Sequence, residues 1–116
     1  ERIAVNMMDS VKPDNDGDCP QEQQIAADGE AAYFSNLPVK VLRDAVLQKG
    51  IPARVSNSAG LYVCNSAYYI ALKEIYEKKL LTRAVFVHLP KINHKFPVEL
   101  LTESVKTIIE TIIDNK

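Results

Sequence analysis

Hydrophobic positions along the chain fall into short runs and longer helical repeats. Four short segments, each bounded by polar, Gly or Pro residues, have the length and composition of strands and lie at 3–8, 31–35, 52–57 and 84–89. Three longer segments carry apolar residues at every third or fourth position and lie at 39–49, 61–79 and 98–113. The pattern therefore predicts strands interleaved with amphipathic helices.

The order of these elements predicts a fold of the α/β class. Right-handed crossovers between such strands give a largely parallel sheet with helices on both faces, in a three-layer α/β/α arrangement. The run AVFVHL at 84–89 is almost continuously apolar, as is typical of a strand covered on both faces. We expect the helix at 39–49 to end at Gly50. The predicted buried face of the helix at 61–79 contains Cys64, Ala67, Tyr68, Ala71, Leu72 and Ile75.

Length and charge limit the class of protein. The 116 residues are enough for one domain, which we assign to 1–116. A formal net charge of −1 gives no electrostatic reason to expect nucleic acid or an anionic membrane as a partner. No apolar run approaches the length of a membrane span. The chain opens at Glu1 within a strand pattern and without an initiator methionine, so we expect it to be part of a longer protein.

The polar segment at 9–28 holds five aspartates and one of the two cysteines. Its DNDGD run superficially resembles a calcium loop, but it lacks the following helix and the bidentate glutamate of an EF-hand. We therefore predict a solvated loop and no metal site. Cys19 lies in this loop whereas Cys64 lies in an apolar helical stretch, so a disulfide is not favoured and a reducing cytoplasm is the expected location.

Cys64 is the first candidate for chemistry. It follows a predicted strand and a turn that contains Gly60, and it lies about one turn into the next helix. Free backbone N–H groups and the positive end of the helix dipole favour the thiolate there, and the thiolate is the nucleophilic form of cysteine. The alternative is a small apolar side chain that fills the contact between helix and sheet.

His88 is the second candidate, because it is the only polar residue in AVFVHL and stands at the carboxyl end of that run before Pro90. Sites in open parallel sheets form outside the carboxyl ends of the strands, where the start of the Cys64 helix should also lie. A histidine there would take the thiol proton and later protonate a leaving amine. The alternative is a core histidine that is hydrogen-bonded to backbone. Cys64 and His88 together favour a nucleophilic site.

One motif resembles a known family. The stretch SNSAGLYVCNSAYY at 56–69 is similar to the active-site signature of pyroglutamyl peptidase I, also called pyrrolidone-carboxylate peptidase, which reads Ser-x-(Thr/Ser)-Ala-Gly-x-(Phe/Tyr)-Val-Cys-Asn. Further segments agree with that family in order and spacing, namely ERIAVN at 1–6, PDNDG at 13–17, DGEAAYFSNLPVK at 28–40 and FVHLP at 86–90. The resemblance spans essentially the whole chain.

The resemblance implies a flavodoxin-like α/β/α fold, of which this chain would be the C-terminal part of a longer catalytic domain. It also implies a cysteine exopeptidase that removes an N-terminal pyroglutamyl residue from peptides through a thioester. Carried over by position, the nucleophile is Cys64, the histidine is His88, and the acidic member of the triad is Glu1. Tyr62 and Val63 fall where the family lines its pyroglutamate pocket. The resemblance implies no metal and no organic cofactor.

The chain also departs from the family pattern. Val11 stands where the family usually has an arginine thought to assist the oxyanion, and Lys12 follows it. Either Lys12 substitutes or the oxyanion is less well stabilised, which leaves open a catalytically weakened or inactive homologue that acts as an α/β assembly or binding module. A Rossmann-like nucleotide binder is disfavoured because the Gly-rich phosphate loop is missing. Family members are often tetrameric, so the resemblance allows a homotetramer, and the implied partners are N-terminally pyroglutamylated peptides.

Overall fold

The structure is a computed structural model, and it describes residues 1–115. These residues form two compact units. The first contains Glu1–Asn36 and Ser56–Phe86, and the second contains Leu37–Val55 and the chain from Val87 onward. The elements in chain order are β1 (Ile3–Val5), β2 (Ala32–Phe34), α1 (Val39–Gln48), α2 (Val63–Glu77) and α3 (Val98–Asp114).

The first unit is built from β1, β2 and α2. The two strands pair antiparallel, with Ala4 opposite Tyr33, and α2 packs against both of them. One face of α2 supplies most of the apolar core, in which Tyr69 and Leu72 are completely buried. The rings of Tyr33 and Tyr69 meet with their centroids 5.1 Å apart, a tilted arrangement that aromatic pairs favour. The sheet thus presents its inner face to a single helix.

This sheet differs from the largely parallel one that the pattern predicts. Among residues 1–115 the sheet contains only β1 and β2, and the segments 52–57 and 84–89 form no strands. The segments 52–57 and 84–89 each meet the start of the chain through a backbone bond, from the Arg2 N–H to Ser56 O at 2.8 Å and from the Glu1 nitrogen to Phe86 O at 2.7 Å. Around residues 82–84 the main chain bonds to side chains. Asn36 Nδ2 donates to Thr82 O at 3.0 Å, and the Ala84 N–H donates to Asn36 Oδ1 at 2.9 Å. A strand requires a ladder of backbone partners, which side-chain amides do not supply.

The second unit packs α1 against α3. Its most buried apolar side chains come from the helices and their flanks, and they are Leu37, Leu42, Val46, Ile51 and Leu101. The predicted stop at Gly50 is confirmed, because Gly50 has a φ of 76° and the chain closes the helix there. The Ile51 N–H donates to Val46 O and the Gly50 N–H donates to Leu47 O, which together form a Schellman motif. No helix within residues 1–115 combines the length and the apolarity needed to cross a membrane.

Candidate active site

Cys64 is the second residue of α2 and is half-buried. Tyr62 occupies the N-cap position of α2, and its side chain makes no hydrogen bond to the N–H groups of the first turn. The preceding turn contains Gly60 at a φ of 81°, and its N–H donates to Ser58 Oγ at 3.1 Å. Cys64 therefore lies in the first helical turn, as the sequence predicts, where an anion is stabilised by the helix.

The buried face of α2 differs from the predicted one by part of a turn. Its buried residues are Asn65, Tyr68, Tyr69, Leu72 and Ile75. Ala67 and Ala71, which were expected on this face, are exposed. The large tyrosine rings and the Asn65 amide occupy the sheet contact, and this rotation leaves Cys64 at the margin of the core. The predicted face is therefore confirmed at Tyr68, Leu72 and Ile75 and is wrong at Ala67 and Ala71.

A pocket of about 480 Å³ opens beside the start of α2. Tyr62, Val63 and Ser66 line it from the helix side, and the remaining lining comes from the loop after β1, with Met8, Asp14, Asp18, Cys19, Pro20 and Gln23. Loss of solvation, together with the charges of Asp14, Cys19 and Asp18, raises the pKa of Tyr62. A tyrosine hydroxyl is protonated at neutral pH even at its ordinary pKa, so this group can donate a hydrogen bond into the pocket.

The loop that closes this pocket is organised by its own carboxylates. Asp14 Oδ1 accepts hydrogen bonds from the N–H groups of Asp16 and Asp18, both at 2.9 Å. Val11 is 97% exposed, so its side chain is directed into solvent. Among residues 1–115, no three His, Cys, Asp or Glu side chains lie close enough together to hold a metal ion. The loop is an ordered wall of the pocket.

Glu1 lies two residues before the start of β1, in the same unit as Cys64. Tyr68 Oη of α2 donates to the Glu1 main-chain oxygen at 2.9 Å. The Glu1 nitrogen donates to Phe86 O at 2.7 Å. Two backbone contacts therefore fix the position of Glu1 relative to α2 and to the segment that leads to His88.

His88 belongs to the second unit, whereas Glu1, Tyr62, Val63 and Cys64 belong to the first. Its side chain is exposed, in an irregular stretch two residues beyond Phe86. The structure thus places four of the five predicted site residues in one unit. The pairing of His88 with Cys64 and Glu1 stays a prediction.

Sequence reasoning missed Asn65. Its amide is 1% exposed, and it bonds to the main chain of β1 beside the candidate nucleophile. The signal was present, since Asn65 precedes Tyr68, Tyr69 and Leu72 at helical spacing and is polar within an otherwise apolar stripe. A polar residue on a buried helical stripe indicates a specific hydrogen-bond partner.

Comparison with known proteins decides the family. The sequence profile of the pyroglutamyl peptidases matches residues 1–114. The chain belongs to the pyroglutamyl peptidase family. It is 46% identical over 90 residues to the pyrrolidone-carboxylate peptidase of Thermococcus kodakarensis, an alignment that covers 78% of this chain and 44% of that protein. The corresponding protein of Thermococcus onnurineus is 39% identical over 119 residues, covering 96% of this chain and 60% of the relative.

Solved pyroglutamyl peptidases have the same fold over this length. A mutant pyrrolidone carboxyl peptidase from Pyrococcus furiosus superposes with a TM-score of 0.92 at 34% identity, covering 98% of this chain and 61% of that chain. Pyroglutamyl peptidase I from Bacillus amyloliquefaciens gives 0.89 at 32%, covering 95% and 56%. The α/β class predicted from the sequence is confirmed by these similarities. The chain spans about half the length of the curated relatives it matches.

Proposed function

We propose that this chain supplies the nucleophile and part of the pocket of a cysteine exopeptidase that removes N-terminal pyroglutamyl residues from peptides. The observation that carries the proposal is Cys64 in the first turn of α2, beside the pocket lined by Tyr62 and Val63. Membership of the pyroglutamyl peptidase family supports the substrate class. The pocket volume of about 480 Å³ lies within the range of small-molecule sites.

In the proposed reaction the Cys64 thiolate attacks the acyl carbonyl of the pyroglutamyl residue. The carbonyl oxygen becomes an oxyanion, which the Cys64 N–H at the helix start stabilises by hydrogen bonding. His88 donates a proton to the leaving amine, the C–N bond breaks, and a thioester to Cys64 remains. Water, deprotonated by His88, then hydrolyses the thioester and releases free pyroglutamate. Glu1 orients the imidazole and stabilises its protonated form.

Tyr62 and Val63 are the proposed contacts of the pyroglutamyl ring. Tyr62 is 40% exposed and Val63 is 64% exposed, so both have accessible surface for a ligand. The tyrosine ring and the valine methyl groups would cover the apolar part of the lactam. The protonated Tyr62 hydroxyl would supply a polar contact at the edge of the same pocket.

The nucleophile is tested by hydrolysis of a pyroglutamyl arylamide with the full-length protein. Because the thioester requires the sulfur, we expect Cys64→Ala to lower kcat by at least about 10³-fold. Lys78→Ala, an exposed change at the other end of α2, serves as the control and should keep wild-type kinetics. Activity that persists in Cys64→Ala would refute the assigned nucleophile.

A second candidate function rests on Val11. This residue stands where the family usually has arginine, and its exposed side chain offers no charge to an oxyanion. The chain would then be a weakened or inactive homologue that serves as a binding or assembly module. A folded full-length protein that leaves the arylamide intact, and whose activity appears in Val11→Arg, would favour this alternative. Wild-type turnover that Val11→Arg does not raise would exclude it.

A further inference from the structure

The Asn65 side chain makes three hydrogen bonds to one short piece of main chain. The Val5 N–H donates to Asn65 Oδ1 at 2.9 Å. Asn65 Nδ2 donates to Val5 O at 2.8 Å and to Met7 O at 3.3 Å. The side chain is 1% exposed, so water does not compete for these bonds. Both the oxygen and the nitrogen of the amide therefore bond to main chain, at Val5 in β1 and at Met7 just beyond the strand.

The position of Val5 explains why an amide fits there. In β1 the backbone groups of alternate residues point to opposite sides of the strand, and β2 takes up the groups on one side only. The main-chain N–H and C=O of Val5 face away from β2. Without Asn65 the Val5 N–H would lose the partner that it has, and Val5 O would keep the bond from the Met7 N–H at 2.9 Å. Unpartnered buried peptide groups are costly, so the Asn65 amide takes the role of a neighbouring strand residue.

A second bond from the same helix lies at the other end of the strand. Tyr68, one turn after Asn65, donates its hydroxyl hydrogen to the Glu1 main-chain oxygen at 2.9 Å. Tyr68 is 2% exposed, and its ring packs against Phe86 with centroids 5.9 Å apart. The first two turns of α2 are thus attached at two places, to β1 through Asn65 beside Cys64 and to Glu1 through Tyr68.

We propose that Asn65 is a positioning residue, whose buried amide holds the first turn of α2 on β1 and thereby fixes the Cys64 sulfur relative to Glu1. The proposal rests on the proposed function for its catalytic consequence, but the attachment itself is independent of it. Asn65 touches no reacting atom, because its amide is directed at the strand. It acts only through the main chain that it shares with Cys64.

The variants Asn65→Ala and Asn65→Asp separate the possible effects. Alanine removes all three bonds, whereas aspartate keeps the acceptor for the Val5 N–H but loses both donors. Asn6 provides a matched control, because it also makes three bonds: Asn6 Oδ1 accepts from the Ile25 and Ala26 N–H groups, and Nδ2 donates to Ala26 O. Asn6→Ala removes as many bonds from the same unit without touching α2.

Three measurements on the full-length protein test the proposal. Amide hydrogen exchange reports whether the first turn of α2 is held on β1. The alkylation rate of Cys64 by iodoacetamide at pH 6, divided by its rate at pH 9, reports how well the helix start stabilises the thiolate. A change in the accessibility of the sulfur affects both rates and cancels in this ratio. Cys19 serves as the internal reference. Steady-state hydrolysis of a pyroglutamyl arylamide separates kcat from KM.

In Asn65→Ala we expect faster exchange at residues 64–68, an alkylation ratio for Cys64 about threefold lower, and a fall in kcat with KM nearly unchanged. Asn65→Asp should be at least as severe as Asn65→Ala, because its buried carboxylate faces the carbonyl oxygens of Val5 and Met7. Asn6→Ala should leave all three values near those of the wild type, even when it lowers the free energy of unfolding as much as Asn65→Ala does. Unchanged exchange in Asn65→Ala, or equal changes in Asn6→Ala, would overturn the proposal. If the exchange rates change as expected in the variants but the full-length protein does not hydrolyse the arylamide, the proposed function is rejected and the role of Asn65 in holding α2 on β1 remains.

Discussion

At the scale of single residues, Gly29 brings the loop before β2 against Tyr69 and Lys73 of α2. A Cβ atom added there would overlap the Tyr69 hydroxyl and lie 3.2 Å from Lys73 Cε. Tyr69 cannot retreat easily, because it is completely buried and its hydroxyl donates to Glu30 O at 2.6 Å. The loop before β2 therefore requires a residue without a side chain at this position.

We predict that Gly29→Ala lowers the free energy of unfolding by about 1–3 kcal/mol, as is usual when a packed core receives an extra methyl group. The penalty should be smaller when Tyr69→Phe is already present, because the overlapping oxygen is then gone. A double-mutant cycle by urea unfolding measures the difference. Repeating the cycle with Tyr76→Phe, whose ring is 44% exposed and not at Gly29, gives the control. Equal penalties in all backgrounds would contradict the explanation.

Tyr69 and Tyr68 also link stability to alkaline pH. Burial raises the pKa of both side chains above the ordinary tyrosine value of 10.0. Each group keeps its proton longer in the folded chain than in the unfolded chain. Their contribution to stability is therefore complete below pH 10 and is lost as the pH rises above it.

We expect the free energy of unfolding of the wild type to fall between pH 9 and pH 11.5, and to fall less in Tyr69→Phe. Urea unfolding at half-unit pH intervals gives the slope. Tyr76→Phe, which removes a half-exposed hydroxyl group, is the matched variant and should keep the wild-type slope. Identical slopes in wild type and Tyr69→Phe would show that Tyr69 is not part of the linkage.

At the scale of elements, the helices followed from the sequence closely. The predicted segments at 39–49, 61–79 and 98–113 correspond to α1, α2 and α3 with ends that differ by two residues or fewer. Helices are local, so apolar spacing and a stop such as Gly50 are enough to define them. Helical spacing alone did not choose between Cys64 and Asn65 for the buried face of α2, because Tyr68 lies four residues after the first and three after the second. The tertiary hydrogen bonds of Asn65 decide between them.

The strands were harder to predict for a physical reason. A strand exists only when another segment supplies its hydrogen bonds, and apolar content does not tell which segment that is. The runs at 3–8 and 31–35 pair with each other as β1 and β2, although each strand is shorter than the apolar run that contains it. The run at 84–89 has equal apolar content but bonds to Ser35 and Asn36 side chains.

The packing of α1 on α3 gives a prediction at this scale. Leu42 is 4% exposed, whereas Leu47 on the same helix is 45% exposed. We expect Leu42→Ala to lower the free energy of unfolding by about 2–5 kcal/mol, because it removes buried methyl groups and leaves a cavity. Leu47→Ala should cost about 0.5 kcal/mol or less. Thermal unfolding of the two variants compares them directly, and similar losses would contradict the assigned faces.

At the scale of the whole molecule, sequence motifs identified the family and three of the five proposed site residues, which patterning did not. Periodicity singled out Cys64 and His88, but it gave no reason to choose Glu1, Tyr62 or Val63. Those three came from resemblance, because an acidic residue before a strand and an aromatic residue at a helix start are common surface features. The structure adds that Glu1, Tyr62, Val63 and Cys64 lie in one compact unit.

Three asparagines have a further consequence for the lifetime of this molecule. Asn6, Asn36 and Asn65 each bind main chain through both the oxygen and the nitrogen of the amide. Deamidation would replace a donating nitrogen with an oxygen and set a negative charge against a carbonyl group. Deamidation at any of the three would thus loosen the main chain that the side chain binds, which for Asn65 is that of β1 beside Cys64.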